Sequence, residues 1–419
     1  MRIAMMTNNY KPFIGGVPIS IERLAEGLKI LGHEVFIFAP AYGNMEDEDN
    51  VIRYKSFKGR ALQGGIVIPN MFDPKIERKF KRMNIDIIHV HHPMLIGNVA
   101  LHLGKKYNVP VTFTYHTRYE QYLHYIKPYE YLENRSKNEK NHELRELEVK
   151  LLNSTKEKVI PSYIKNFANK CDMVFSPTES MKEYLREIGV DSRIQVMPTG
   201  LKDRCFDAYD VSSDDIRKKY KKDKKYLFCT VARLTKEKNI EFLIDGLKKI
   251  KDNIGDCFNT LIIGDGPLKT TLKKKTTRLG LDNNVTFLNS IKNENIDDYY
   301  RASDLFLFAS KSETQGIVLL EAMAAWNPVV AVKGSGVVDV VCDDINGYVT
   351  DENLDEWASK IISILNDEEL RESLKKGAYD TALSYRSGNV AKIAEYNYSS
   401  VLSSYYKEQC LYGDKINVG

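Results

Sequence analysis

"DLFLFASKSETQGIVLLEAMAAWNPVVAV", residues 304–332, holds the fold in miniature. Two short runs almost without polar residues, 304–310 and 328–332, flank a segment at 316–325 that is apolar on every side except at Glu321. Such a short apolar run is a strand covered on both faces, and two of them joined by a helix form a parallel βαβ unit. A helix made of Ile, Val, Leu, Met and Ala is buried. Glu321 is therefore the residue to explain, because an ionised carboxylate buried alone costs several kcal/mol or takes up a proton. Its partner is either a cation of its own chain or the hydroxyl groups of a ligand.

The same alternation runs through the chain. In the first half, strands are predicted at 2–7, 33–40, 86–92, 110–116, 172–177 and 194–198. Helical segments lie between them, such as 17–31, where Ile21, Leu24, Leu28 and Leu31 share one face. The pattern restarts with strands at 226–232, 258–264, 285–288, 304–310 and 328–332, and helices near 239–251, 267–279, 316–325 and 353–383. At 419 residues the chain is too long for one core. Two series predict an α/β protein of two doubly wound, Rossmann-like domains, 1–200 and 201–385, with the seam near 197–210. The helices after about 386 have no strand to follow them. The charge-dense stretch 127–158 reads as a solvated helix, and the basic run 217–225 as a solvated loop.

Composition narrows the class of function. The chain is 43% hydrophobic and 28% charged, and 61 Lys and Arg against 57 Asp and Glu leave a net charge of +4. That balance gives no case for a nucleic-acid partner. The six cysteines are scattered, with no CxxC, as expected of reduced core residues in a cytoplasmic protein. No run reaches the ~18 apolar residues of a membrane span, and the start, "MRIAMMTNNYKP", lacks a signal peptide's apolar core.

Doubly wound sheets bind ligands beyond the carboxyl ends of their strands. At the first such end, Gly15 and Gly16 precede a helix whose amides either approach an anion or simply make a turn. In "VARLTKEKN", Arg233 and Lys238 follow a strand directly, which suits a diphosphate. Gly266 lies in a third strand-end turn, "GDGP". The amides of Gly316, Ile317 and Val318 head the buried helix, with Glu313 just before them and Glu321 one turn inside. A diphosphate there has a carboxylate on either side, each able to accept hydrogen bonds from sugar hydroxyls. His116 ends a strand, where a satisfied histidine is about as common as a functional one. His89, His91 and His92 have no carboxylate at ligand spacing, and the acidic "DED" at 47–49 reads as solvated surface, so no metal site is assigned.

With these residues in view, "SETQGIVLLEAMAAWNPVVA" resembles the Glu-x7-Glu signature of retaining GT-B glycosyltransferases, glycosyltransferase family 4. The similarity covers almost the whole chain, including the "GGV" turn, "TYHT", "VMPTGL", "VARLTKEKN" and "GDGP". It implies two Rossmann-like domains facing a central cleft, with the last helices crossing back to the first domain. It also implies that Glu313 binds hydroxyls of the donor sugar and Glu321 the ribose diol. Arg233 and Lys238 would neutralise the departing diphosphate, His116 would lie beside the sugar, and Gly16 near the phosphates. No metal or other cofactor is needed in that scheme. The absence of GxGxxG disfavours an oxidoreductase.

"YHTRYEQYLHYI" (115–126), with Tyr119 and Glu120, and "SETQG" are similar to bacterial glucosyltransferases that act on diacylglycerol. The resemblance thus implies transfer of a hexose, glucose from UDP-glucose, to a lipid acceptor. A phosphoinositol lipid, a polyprenyl-linked or soluble glycan, an epimerase and a non-catalytic sugar-nucleotide sensor are the alternatives. In 71–83, Phe72, Ile76, Phe80 and Met83 fall at helical spacing among Lys75, Arg78, Lys79, Lys81 and Arg82. That segment either lies on the anionic inner face of the cell membrane or packs its stripe on its own domain. Trp326 stands where the family usually has glycine, and "FLNSI" (287–291) replaces a glycine-containing turn.

Overall fold

Strands without a polar face are stable only in a sheet covered on both sides. A computed structural model, which describes residues 1–13, 15–61, 67–121, 135, 142–208 and 210–416, places them in two parallel sheets. The chain divides into two compact units. One is Met1–Gly200 with Gly388–Gly419, and the other is Leu201–Ser387.

The first unit contains β1 (Arg2–Met6), β2 (Glu34–Pro40), β3 (Val51–Tyr54), β4 (Ser56–Ala61), β5 (Val67–Pro69), β6 (Ile87–Val90), β7 (Val111–Thr114), β8 (Met173–Ser176) and β9 (Ile194–Val196). Its sheet has the order β3-β2-β1-β6-β7-β8-β9, and β4 pairs with β5 as a separate hairpin. Alternate residues of β1 face opposite ways: Ala4 and Met6 join one apolar cluster, Ile3 and Met5 the other. Val390, Ala391, Ala394 and Tyr398 of the last helix, Ser387–Ile416, belong to that second cluster.

The second unit contains β10 (Tyr226–Val231), β11 (Phe258–Ile263), β12 (Val285–Leu288), β13 (Leu305–Phe308), β14 (Val329–Val332) and β15 (Gly347–Thr350), in the order β12-β11-β10-β13-β14-β15. Phe228 and Leu227 point into clusters on opposite faces. Strands β11, β10, β13 and β14 are neighbours and parallel, so their carboxyl ends lie side by side.

Three expectations need correction. The basic run at 217–225 is mostly helical, within Val211–Lys221, and Asp210 caps that helix by accepting the Ser213 amide. The predicted helix 353–383 is two, Leu354–Asn366 and Glu368–Leu383, because Asp367 caps the second through the Leu370 amide. The acidic loop at 47–49 is exposed surface, as expected, and two of its carboxylates also bind neighbouring cations. Asp47 accepts Lys75 Nζ at 2.7 Å and the Arg53 amide at 2.8 Å, and Lys79 pairs with it at 3.0 Å. Partial burial raises the Asp47 carboxyl, but those hydrogen bonds outweigh it and hold the group at about 2. Glu48 accepts the buried Arg53 guanidinium, which also donates to the carbonyls of Lys11 and Pro40.

The third correction concerns Phe80, which is buried and not a membrane contact. The helix Pro74–Arg82 buries Ile76 and Phe80 in the core of the first unit, with the Phe80 ring 5.6 Å from Tyr107 and 6.4 Å from Phe38. An aromatic stripe at this spacing suits core and bilayer equally, and here the domain's own strands cover it. Of the expected charged stretch at 127–158, Arg135 and 142–158 are described. His142–Ser154 is helical and Thr155–Val159 continues it as a π-helical turn, whereas 127–134 and 136–141 lie outside the described residues. Among the described residues no helix is long and apolar enough to cross a membrane.

Candidate active site

In the second unit three strand-end loops interlock. The loop after β10 passes through the 3-10 turn Lys236–Lys238. The Leu234 amide donates to Asp265 O at 2.9 Å, and the Leu268 amide donates back to Leu234 O at 3.1 Å. Gly266 fits this contact because a Cβ there would lie 2.4 Å from Leu234 O. Its observed role is thus close packing of two loops. On the other side, the Lys311 amide donates to Glu237 O at 2.9 Å.

That lacing brings two predicted residues together. Lys238 Nζ donates to Glu313 Oε1 at 2.5 Å, with both side chains mostly buried. The Ser335 hydroxyl donates to Glu313 O at 3.1 Å and steadies the loop from the β14 side. Arg233 lies in the same β10 loop as Lys238 and is exposed. The helix Ile317–Ala324 begins after Gly316, whose φ of +75° is a left-handed conformation natural to glycine. No acidic residue occupies its first turn and no side chain caps it, so the leading amides have no intrahelical partner. Just before it, the hydroxyls of Ser310 and Ser312 are buried without a hydrogen-bond partner. Nothing in the sequence singled these serines out, since buried serine hydroxyls commonly bond to backbone.

Glu321 is largely buried, and Tyr300 donates its hydroxyl to Oε2 at 3.3 Å. Trp326 adopts φ +63°, which explains why glycine is usual there. Its ring stacks on Tyr379 with centroids 4.3 Å apart, offsetting the backbone strain.

In the first unit, Gly15 and Gly16 head the helix Gly16–Ile30, which also lacks a side-chain cap and a first-turn acid. Gly15 is extended, at φ −177°, so its backbone does not demand glycine. His116 follows β7 and lies beside His91, which follows β6. His91 Nδ1 and His116 Nε2 are 2.8 Å apart. Burial keeps His89, His91, His92 and His116 below the usual histidine range, His89 at about 3 and His92 at about 4. Tyr119 and Glu120 lie in the 3-10 turn Tyr119–Gln121. Glu120 is buried and accepts Arg118 Nε at 2.7 Å. Lys75 and Lys79 are engaged with Asp47, whereas Arg78, Lys81 and Arg82 are exposed. Among the described residues no group of three or more His, Cys, Asp or Glu side chains is arranged to hold a metal ion.

Two family models match most of the chain between them. The one described as Glycosyltransferase Family 4 spans residues 14–203, and the one described as Glycosyl transferases group 1 spans residues 212–381. The chain belongs to glycosyltransferase family 4. It is an enzyme of the hexosyltransferase type, with the GT-B fold. The chain is 27% identical to the alpha-monoglucosyldiacylglycerol synthase of Acholeplasma laidlawii, over 97% of this chain and 99% of that one. It is 28% identical to the enzyme of the same name from Streptococcus pneumoniae, over 83% and 74%. Among solved structures, HepE of Anabaena in complex with UDP superimposes with a TM-score of 0.72 at 18% identity, covering 96% of this chain and 100% of that one, which shows the shared fold.

Proposed function

We propose that this glycosyltransferase moves glucose from UDP-glucose to the free hydroxyl of 1,2-diacylglycerol, with retention of anomeric configuration and without a metal. The observation that carries the reading is the Lys238–Glu313 pair at the head of the helix Ile317–Ala324, with Arg233 in the adjoining loop. When the bond from sugar C1 to the diphosphate breaks, its electrons go to the β-phosphate oxygen. Fixed cations and free helix amides stabilise that growing charge. Arg233 and Lys238 take this role together with the amides of Gly316, Ile317 and Val318. Glu313 accepts hydroxyls of the sugar, and Glu321 the ribose diol. The family resemblance adds His116 beside the donor sugar. In a same-face attack the lipid hydroxyl oxygen bonds to C1 and its proton passes to the departing phosphate oxygen. The two alpha-monoglucosyldiacylglycerol synthases among the relatives support the choice of acceptor.

The test offers the protein a panel of radiolabelled nucleotide-sugars with lipid extract. Label from UDP-glucose should enter a glycolipid of diacylglycerol, at the same rate with EDTA. Label in a soluble product would overturn the acceptor, and loss in EDTA reversed by added metal would overturn metal independence.

A lipid acceptor calls for a membrane surface, and the reading places the enzyme in the cytoplasm, peripheral at the inner face of the cell membrane. With Phe80 in the core, the proposed contact moves to Phe72 and Phe57, which are 78% and 48% exposed, together with exposed Arg78, Lys81 and Arg82 of the helix Pro74–Arg82. Each such cation contributes about 1 kcal/mol near an anionic bilayer. Phe57→Ser with Phe72→Ser should weaken sedimentation with anionic vesicles several-fold, as should raised salt, while melting stays unchanged. Undiminished sedimentation of that double variant would remove this face from the membrane.

A further inference from the structure

We infer that His91 is a positioning residue for His116, holding its imidazole in one orientation and one tautomer during sugar transfer. The inference rests on the proposed place of His116 beside the donor sugar. Strands β6 and β7 are adjacent and parallel, which sets the two side chains next to each other. Their rings lie edge to edge and nearly coplanar, with centroids 5.1 Å apart, an angle of 21°, and the nitrogens meeting at 2.8 Å. On one face His91 stacks on His89, at 4.3 Å and 27°. His89 is itself locked, with Nδ1 at 2.5 Å from the Tyr398 hydroxyl and Nε2 at 2.6 Å from that of Thr114. His91 is thus a ring stacked on one face and hydrogen-bonded at its edge, with no exposed surface.

The remaining nitrogen assigns the proton. His91 Nε2 is buried with no hydrogen-bond partner. An unsatisfied buried N–H is rarer than a bare lone pair, so the hydrogen sits on Nδ1, which donates to His116 Nε2. In its neutral form His116 then carries its own hydrogen on Nδ1. Burial, reinforced by the neighbouring histidines, keeps His91 neutral and so preserves this arrangement.

A purely structural role would be better filled by phenylalanine. It keeps the stack on His89 and buries no unsatisfied atom, whereas histidine at this site accepts an orphaned nitrogen in return for one directed hydrogen bond. The same logic governs other sites where a partner fixes the tautomer of a working imidazole.

The test compares His91→Phe with His91→Asn, whose amide nitrogen takes the place of Nδ1, in the full chain with UDP-glucose and diacylglycerol. His91→Phe should melt at or above the wild-type temperature, yet lose about ten- to a hundredfold in kcat with little change in KM for the donor. His91→Asn should recover most of that loss, and His91→Phe should add nothing in a His116→Ala background. Side-chain 15N spectra of selectively labelled protein should show one His116 tautomer in the wild type and a mixture in His91→Phe. Wild-type kcat in His91→Phe beside an inactive His116→Ala overturns the inference alone. Full activity in His116→Ala overturns the placement of His116, and the inference with it. An unchanged His116 spectrum in His91→Phe removes the orienting bond whatever the kinetics.

Discussion

Glu313→Ala is expected to slow sugar transfer about a hundredfold or more while the protein still folds. A loss of that size is about 2.7 kcal/mol of transition-state stabilisation, the range seen when one well-placed polar group is removed. Two effects combine. The donor sugar loses a hydroxyl acceptor, and Lys238 loses the carboxylate that fixes its ammonium at 2.5 Å. Because the two residues act as a unit, Lys238→Met should be comparably damaging, and the double variant little worse than either. Stability should fall by about 1.5–3 kcal/mol, the cost of losing a largely buried hydrogen bond between charged groups, without loss of the fold, because Glu313 lies in a loop. Glu313→Gln keeps an acceptor and should fall between wild type and alanine. Initial rates with labelled donor, paired with circular dichroism melts, measure both effects. Near-normal turnover of a folded alanine variant would remove Glu313 from the site.

The second large effect is on stability in mild acid. His89 and His92 are almost wholly buried and stay neutral down to about 3 and about 4, because burial disfavours their charged forms. In the unfolded chain both take up protons near pH 6.5. Below that pH the unfolded state binds more protons than the folded one, so stability must fall as pH falls. The contribution of each histidine is fully present above about 6.5 and declines toward its folded value. Between pH 7 and pH 5 each should cost about 2 kcal/mol. His91 shifts in the same direction and adds to the loss. Denaturant unfolding of the wild type at the two pH values, repeated with His92→Gln, checks this. The variant should lose less stability than the wild type over that range. Equal losses would show that His92 is not held neutral by the fold.

Much of the architecture was legible because it rests on short-range pattern. Runs such as Leu305–Phe308 and Val329–Val332 lack a polar face, and only a parallel sheet with both sides covered accommodates them. What pattern did not reveal depends on contacts distant in sequence. β3 went unread because Arg53 interrupts its apolar run, and that residue is tolerable in the core only because Glu48 and two carbonyls receive it. β15 is four residues long and begins at a glycine, too short for its alternation to register. The helix Val211–Lys221 was hidden by its lysines.

The candidate site divides in the same way. The loops that hold Lys238 and Glu313 were readable as strand ends, but their pairing spans 75 residues and needs β10 and β13 to be neighbours. The histidines were visible singly, whereas the His91–His116 contact exists only because β6 lies beside β7. Phe72 and Phe80 look alike on a helical wheel, and only the packed sheet separates the exposed ring from the buried one.

Glu321 is the carboxylate inside an apolar helix that we propose receives the hydroxyls of a nucleotide. Calorimetric titration of the full chain with UDP, in the wild type and in Glu321→Ala, tests this most directly. Loss of hydrogen bonds to a charged acceptor should weaken binding about tenfold or more, with melting little changed. Equal affinity of the two proteins for UDP would contradict the account.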